Sequence, residues 1–111
     1  MMMRSTMTAV LERSALVRDE LATEPYELPW AHEARFFVQV HELTGVLELT
    51  TEISPDGLHW CPADEASVRV GAPGMTSWLI TGFGQWLRVR CRVSGDPAPG
   101  ARLRIYLVGK S

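Results

Sequence analysis

The stretch LRVRCRV, residues 87–93, carries the strongest structural signal in the chain. Apolar and arginine side chains alternate along it, and this period of two is typical of a half-buried antiparallel strand. The stretch RLRIYLV, residues 102–108, alternates in the same way. Glycines and prolines fill the link at residues 94–100 and exclude regular structure there. We therefore predict two strands at this end of the chain, which the link could place in different sheets.

The same alternation recurs through the middle of the chain. Residues 35–41 and 46–53 both alternate, and the link at 42–45 is short enough for a hairpin. Short strands are also expected at residues 65–70 and 76–81. About seven or eight short strands with Gly/Pro turns between them predict an all-β, antiparallel β-sandwich of jelly-roll type. Because no helical segments alternate with the strands, an α/β fold is excluded.

The N-terminal segment allows two interpretations. Residues 8–22 would place Val10 and Val17 on one helical face, or they could be extended like the rest of the chain. The strands that follow favour the extended form. We therefore divide the chain into an N-terminal arm or first strand at residues 1–25, which a partner could order, and a β-sandwich domain at residues 26–111.

Size and composition fit one domain with its own core. The chain has 111 residues, of which 46% are hydrophobic, and domains commonly have roughly 100–150 residues. It has no apolar run of about 18 residues for a membrane span, and no signal-peptide core. We expect a protein that stays in the cytoplasm unless a larger particle carries it away. Cys61 and Cys91 are expected to be two buried thiols, with a single disulfide as the alternative.

Candidates for catalysis or metal binding are few. His59 and Cys61 would share one face of a strand, but a zinc site needs further ligands such as Asp56. No third orienting group or oxyanion turn accompanies this Cys–His pair. Glu48 and Glu52 would lie about 13 Å apart on a strand, whereas paired carboxylates need about 5–9.5 Å. We therefore predict a non-enzymatic protein with no catalytic residue, no metal and no cofactor.

Charge divides the chain into an acidic and a basic part. Residues 1–65 carry twelve acidic and four basic residues, and residues 66–111 carry seven basic and one acidic. This division suggests nucleic-acid binding, opposite charges on neighbouring strands, or acidic and basic sides for contacts between subunits. Arginine outnumbers lysine by ten to one, which favours ion pairs with glutamates such as Glu33 over nucleic-acid binding. The charged residues assigned to an interface are Glu48, Glu52, Arg88, Arg90, Arg92, Arg102 and Arg104.

Aromatic residues offer a second set of candidates. Four tryptophans in 111 residues are more than a small core needs. They could cover the edges of the sheets, anchor a protein interface, or stack on sugars. Trp30 follows Leu28-Pro29 and is expected to be the most exposed of them. The aromatic residues assigned to an interface are Tyr26, Trp30, Phe37 and Trp78.

The motif SPDGLHW at residues 54–60 is a tight turn, in which proline presets φ and glycine accepts a positive φ. Together with the strands at 35–53 and the segment WLRVR at 86–90, it resembles small structural proteins of tailed bacteriophages and prophages. The resemblance covers about residues 30–110. It implies that the turn residues are structural, with the aspartate capping the turn and the tryptophan packing beneath it. These turn residues are Ser54, Asp56, Gly57 and Trp60.

The resemblance implies a component of a virion. The favoured role is a decoration protein on the capsid exterior that binds the protein lattice through its surface and its N-terminal arm. A head–tail or tail accessory protein is the alternative. Its partner would be a major capsid or tail protein, it would self-associate on the particle, and it would be made in the host cytoplasm before assembly. A carbohydrate-binding module is a further alternative, with two or three exposed aromatics on one sheet face. The chain has no Asn and only two Gln, Gln39 and Gln85, which makes sugar binding the less favoured hypothesis.

Overall fold

The protein folds into β-strands connected by turns. A computed structural model describes the backbone of residues 5–95 and 97–111, and their side chains apart from those of residues 65 and 66. No helix long and apolar enough to cross a membrane occurs in this part of the chain. The strands are β1 (Thr6–Val17), β2 (Glu20–Ala22), β3 (Tyr26–Glu27), β4 (Glu33–Thr44), β5 (Val46–Ser54), β6 (Cys61–Val70), β7 (Gly74–Thr81), β8 (Trp86–Ser94) and β9 (Gly100–Lys110).

The strands form two antiparallel sheets. Sheet A has the order β1-β9-β4-β7, and sheet B has the order β2-β8-β5-β6, with β3 also pairing with β8. This confirms the predicted all-β sandwich. The sequence pattern did not identify β2 and β3 as separate strands. They have three and two residues, which are too few to show an alternation. Thr23 connects them along β8, donating its N–H to Val89 O at 2.9 Å and accepting from Val89 N at 3.0 Å through its hydroxyl.

The core lies between the sheets and consists of the inward-facing side chains of the alternating strands. Leu87 and Val89 of β8 and Leu103 and Ile105 of β9 belong to one cluster, and each is fully buried. Strands β8 and β9 lie in different sheets. The link at residues 94–100 therefore crosses between the sheets, as the sequence allowed. The arginines of both strands point outward, so the period-two prediction is confirmed for each of them.

The predicted hairpin between the two central strands is wrong. Strand β4 lies in sheet A and β5 lies in sheet B, so the two strands do not pair with each other. The chain turns this corner at Gly45, whose φ is 91°. A Cβ atom at Gly45 would lie 2.3 Å from the carbonyl oxygen of Ser94. The short link therefore crosses between sheets because a glycine permits both the positive φ and the close approach of the neighbouring backbone.

The N-terminal segment is part of both sheets. Residues Thr6–Val17 pair with β9 from Thr6↔Lys110 to Val17↔Ala101, with register shifts at two places. Glu20–Ala22 then pairs with β8 in sheet B. The extended interpretation is therefore correct and the helical alternative is wrong, while residues 1–4 of the predicted arm lie outside the described part.

The two cysteines lie in different environments and are not bridged. Cys91 is fully buried, whereas Cys61 is exposed. Burial raises the pKa of the Cys91 thiol to about 12, and the charge of Glu12 adds to this effect. The expectation of two buried thiols is therefore correct for Cys91 and wrong for Cys61.

Candidate functional site

The two outer sides of the sandwich differ in chemistry. The outer side of sheet B, here called the charged face, carries Glu20, Glu48, Glu52, Arg69, Arg88, Arg90 and Arg92. The outer side of sheet A, here called the aromatic face, carries Val10, Arg35, Phe37, Leu79, Arg104, Tyr106 and Val108. The five arginines assigned to an interface are therefore divided between opposite faces, and they do not form a single basic surface.

The charged face is held together by a chain of ion pairs. Glu52 Oε1 lies 2.7 Å from Arg88 Nε and 3.3 Å from Arg90 Nε. Arg90 also pairs with Glu20. Because Arg90 contacts both glutamates, these ion pairs join β2 to β5 across β8. The hydrogen bond between Arg90 and Glu20 raises the pKa of Arg90 and lowers the pKa of Glu20. These four side chains are therefore paired within the molecule, and a cross-strand pair such as Arg88–Glu52 contributes about 0.2–1 kcal/mol to stability.

Glu48 lies outside this chain of ion pairs. It is opposite Arg92 of β8 and Arg69 of β6 in the strand register. Within the described part of the chain, neither arginine comes within ion-pair distance of it. The three side chains instead surround a shallow depression of about 240 Å³. Of the predicted partners Glu33, Glu48 and Glu52, only Glu52 pairs with an arginine among the described residues, and Glu20 was not predicted.

Arg102 and Arg104 make different contacts on the other sheet. Arg102 Nε lies 3.8 Å from Glu42 Oε2, an exposed pair. Arg104 donates from Nε to the carbonyl oxygen of Arg13 at 3.0 Å and from Nη1 to Tyr106 Oη at 3.2 Å. Among the described residues its hydrogen bonds are therefore to neutral oxygens, and its guanidinium carbon lies 5.9 Å from the centroid of the Tyr106 ring.

The turn at residues 54–60 is closed by side-chain hydrogen bonds. The buried Ser54 hydroxyl accepts from Asp56 N at 3.2 Å and from Gly57 N at 2.8 Å. Asp56 Oδ1 accepts from Leu58 N at 2.8 Å and from His59 N at 2.9 Å, while its Oδ2 lies 2.7 Å from His59 Nδ1. These bonds, led by the one from His59 N, hold the pKa of Asp56 well below its usual range. The structural role expected for Ser54 and Asp56 matches these contacts.

The same three side chains resemble a catalytic triad in composition but not in geometry. In a triad the imidazole lies between the serine and the carboxylate and accepts the serine proton. Here Asp56 lies between them, and the Ser54 hydroxyl donates to Asp56 Oδ1 at 3.0 Å. The arrangement therefore stabilises the turn, and the imidazole bonds to Asp56 rather than to the serine.

The tryptophan beneath the turn is Trp86 rather than Trp60. A Cβ atom at Gly57, where φ is 78°, would lie 3.0 Å from the Trp86 ring. Trp60 instead lies under Arg88, whose guanidinium carbon is 4.3 Å from the ring centroid. Glycine at position 57 therefore serves both the positive φ and the close packing on Trp86. Trp60 supports the Arg88–Glu52 pair, and this interaction would not be visible in the sequence.

Two of the aromatic residues assigned to an interface are packed within the sandwich. The Trp78 indole N–H donates to the buried hydroxyl of Thr51 at 2.6 Å, linking β7 of sheet A to β5 of sheet B. The Trp78 ring centroid is 5.5 Å from that of Phe36. Tyr26 is half-buried and donates to the sulfur of Met7 at 3.3 Å. Their contacts indicate that both residues stabilise the fold.

The other two aromatic candidates are accessible. Trp30 is 41% exposed, as expected from its position after Pro29. Phe37 lies on the aromatic face, directly opposite Tyr106 of β9. Sequence reasoning missed the apolar neighbours of Phe37 on this face, although the outward positions of the alternating strands would have identified them. These neighbours are Val10, Leu79 and Val108.

Cavities and metal ligands add little to the candidate site. A shallow depression of about 130 Å³ on the aromatic face is lined by Arg35, Phe37, Leu79 and other residues. A wider cleft of about 570 Å³ separates the edges of β6 and β7. Among the described residues, no three His, Cys, Asp or Glu side chains are placed to hold a metal ion.

Solved structures of other proteins share this architecture. The structure of the SPBc2 prophage-derived protein YomS has a TM-score of 0.70 to this chain, over 100% of this chain and 97% of YomS, at 8% sequence identity. The chain has the fold of YomS. No protein-family model matches the sequence, and no curated protein matches it.

Two further structures share the YomS-like fold at lower scores. The PBSX exported protein XepA has a TM-score of 0.68 at 16% identity, over 93% of this chain and 36% of XepA. The Yersinia pseudotuberculosis-derived mitogen YPM has a TM-score of 0.59 at 7% identity, over 93% of this chain and 86% of YPM. At these identities the likenesses establish the fold and do not assign roles to individual residues.

Proposed function

We propose that this protein is a non-enzymatic structural component of a phage or prophage particle, and that it decorates the capsid by docking its aromatic face on the protein lattice. The YomS-like fold supports this proposal, since YomS is named as a prophage-derived protein. The resemblance of residues 30–110 to small virion proteins points in the same direction.

The composition of the aromatic face is the observation that carries the proposal. Phe37 and Tyr106 lie side by side there, and Leu79 is 48% exposed. Exposed apolar and aromatic side chains flanked by arginines are typical of the centres of protein interfaces. Arg35 and Arg104 have no carboxylate within ion-pair distance among the described residues. They are therefore available to carboxylates of a partner, whereas Arg88 and Arg90 of the charged face are already paired.

Repetition on a lattice makes this mode of binding effective. A single contact through one sheet face can be weak, and many copies on one particle gain strength through avidity when they also touch each other. The N-terminal segment contributes less than the sequence suggested, because residues 6–17 are already paired with β9. Docking is therefore assigned to the aromatic face rather than to an arm.

The test uses particles of the parent phage from which the gene has been deleted. Purified protein is added back, and binding is measured by co-sedimentation while particle stability is measured by thermal unfolding. We expect the protein to co-sediment and to raise the unfolding temperature of the particles. Arg104→Glu on the aromatic face should weaken binding at least tenfold, whereas Arg92→Glu on the charged face should leave it unchanged.

The two arginine variants form a matched pair because they make the same charge change on opposite faces. Equal binding by both variants would show that the aromatic face is not the docking surface. The virion assignment is wrong if the wild-type protein does not co-sediment with the particles and mass spectrometry does not find this protein in particles of the parent phage.

Sugar binding is the second candidate, and one observation favours it. Phe37 and Tyr106 are direct cross-strand neighbours, and Gln39 follows two positions along β4 on the same side. Two adjacent rings with an amide beside them resemble a platform for stacking on a sugar. A glycan array separates the candidates, since binding that Tyr106→Ala abolishes would support this candidate over capsid decoration.

A further inference from the structure

Strand β7 is an edge strand of sheet A. Among the described residues it pairs only with β4, so alternate residues direct their N–H and C=O groups away from the sheet. Edge strands of this kind template pairing with another chain unless bulges, charges, prolines or short length prevent it. The other edge strands of the two sheets carry protective features of this kind.

Every other edge strand carries at least one protective feature. Strand β1 has two register shifts against β9, one on either side of Glu12, and Arg13 lies within the second. Strand β6 has a register shift against β5 and contains Pro62 and Asp64. Strands β2 and β3 span three and two residues. Bulges interrupt the regular ladder that a new strand needs, and short strands offer few bonds to it.

Strand β7 lacks all of these features. Its sequence GMTSWLIT contains no charged residue and no proline, and it pairs with β4 over eight positions without a register shift. Met75 is 58% exposed and Leu79 is 48% exposed. A cleft of about 570 Å³ lies between β7 and β6, so the backbone of β6 does not cover this edge. The strand therefore offers a regular, uncharged edge with two exposed apolar side chains.

We infer that β7 pairs antiparallel with β7 of a second copy, joining two A sheets into one continuous eight-stranded sheet. A twofold axis at Ser77 places Met75 opposite Leu79 of the second copy, and by symmetry this contact occurs twice. The same register pairs Gly74 with Ile80, so about seven residues of each strand take part. It thus brings the two most exposed apolar side chains of the strand into contact.

A second copy fits this edge better than an unrelated chain. A twofold axis makes the contact isologous, so the edge is complementary to itself and the assembly closes at two copies. On the neighbouring strand β4, Arg35 donates to Ser77 Oγ at 3.1 Å and stays one strand away from the axis. The paired copies also place two aromatic faces on the same side of one sheet. The inference stands whether or not the protein binds a particle.

The first experiment is the molar mass of the protein by light scattering across a range of concentrations. We expect a monomer–dimer equilibrium with no larger species. Leu79→Lys should raise the dimer dissociation constant at least tenfold, because it places two charges at the seam. Val10→Lys is the matched control, since Val10 is 43% exposed on β1 at the opposite edge of the same sheet. That variant should dimerise like the wild type.

The second experiment tests the register. Opposed residues on paired antiparallel strands have Cα atoms about 4.5–5.5 Å apart, within the range of about 4.4–6.8 Å that a disulfide spans. In a Cys61→Ser background, Ser77→Cys should therefore give a disulfide-linked dimer under mild oxidation. Thr8→Cys on β1 is the control and should form no disulfide-linked dimer under the same conditions.

Clear results would overturn this inference. A wild-type protein that stays monomeric at all concentrations excludes the dimer, and an assembly larger than two copies excludes an isologous contact. If Leu79→Lys and Val10→Lys dimerise equally, the dimer contact does not lie on β7. These readouts need no particle, and Arg104→Glu should still dimerise. A failed capsid assignment therefore leaves the dimer test intact.

Discussion

The hydrogen bond between Trp78 and Thr51 is expected to be a measurable part of the stability of the sandwich. It joins an edge strand of sheet A to a central strand of sheet B, and its acceptor is fully buried. The change Thr51→Val keeps the side-chain shape but removes the acceptor. The indole N–H then loses its partner at a position that water reaches only in part.

The magnitude follows from the burial of the two groups. Leaving a buried donor unpaired costs about 1–3 kcal/mol. Because Trp78 is half-buried, water can compensate part of this loss, and we expect the free energy of unfolding to fall by about 1–2 kcal/mol. For a domain of this size that corresponds to a decrease in Tm of about 4–8 °C. The control Thr50→Val changes the neighbouring outward-facing residue of β5 and should alter the free energy of unfolding by less than about 0.5 kcal/mol.

The assay is urea unfolding followed by circular dichroism, with the slope compared between variants so that midpoints report stability. Trp78→Phe and the double variant complete a double-mutant cycle, and we expect a coupling energy of about 0.5–1.5 kcal/mol. If Thr51→Val is as stable as Thr50→Val, or the coupling energy is near zero, the bond does not connect the sheets energetically.

Three further perturbations have expected outcomes. Asp56→Asn should lower the Tm at neutral pH, because the pKa of Asp56 is lowered in the folded protein. The ionised carboxylate therefore stabilises the fold above about pH 4, the pKa of Asp56 in the unfolded chain, and this stabilisation is lost as the pH falls. Gly45→Ala should destabilise the protein by about 1–3 kcal/mol in urea unfolding, because φ is 91° there and the added Cβ meets backbone. Thiol labelling of the native protein should modify Cys61 quickly and Cys91 only after unfolding, because Cys91 is buried and its pKa is about 12.

Each of these has a control and a contradicting result. The difference in Tm between Asp56→Asn and wild type should shrink in acid, and a constant difference across pH would mean that the charge of Asp56 does not stabilise the turn. Gly71→Ala is the control for Gly45→Ala, since no atom lies within 4 Å of a Cβ there, and equal effects would contradict the corner argument. Rapid native labelling of Cys91 would show that the core opens near β8.

The alternation at residues 87–93 and 102–108 predicted which side chains of β8 and β9 face inward and which face outward, because a pleated strand places successive side chains on opposite faces. The pattern could not say which strands pair. Gly45 shows why, since a link short enough for a hairpin crosses between sheets when its glycine meets the backbone at Ser94.

The candidate site was only partly predictable for the same reason. Arg88 and Glu52 could be matched by charge, but the contact of Arg88 with Trp60 depends on how the turn folds over β8. Phe37 was found as an outward aromatic residue. Its companions came from β1, β7 and β9, strands that only the tertiary structure brings to one face.

The pairing of β1 with β9 imposes an order of events on folding. Thr6 is paired with Lys110, so β1, which leaves the ribosome before the other strands of this sandwich, can be placed only after β9 has been made. Contacts between residues so far apart in sequence slow folding and lengthen the time for which apolar strands are exposed. During synthesis β1 has no partner, and its exposed Val10 and Leu16 are then available to chaperones or to neighbouring chains. The slow step in refolding should therefore be the addition of the N-terminal strand to a sheet that is otherwise complete.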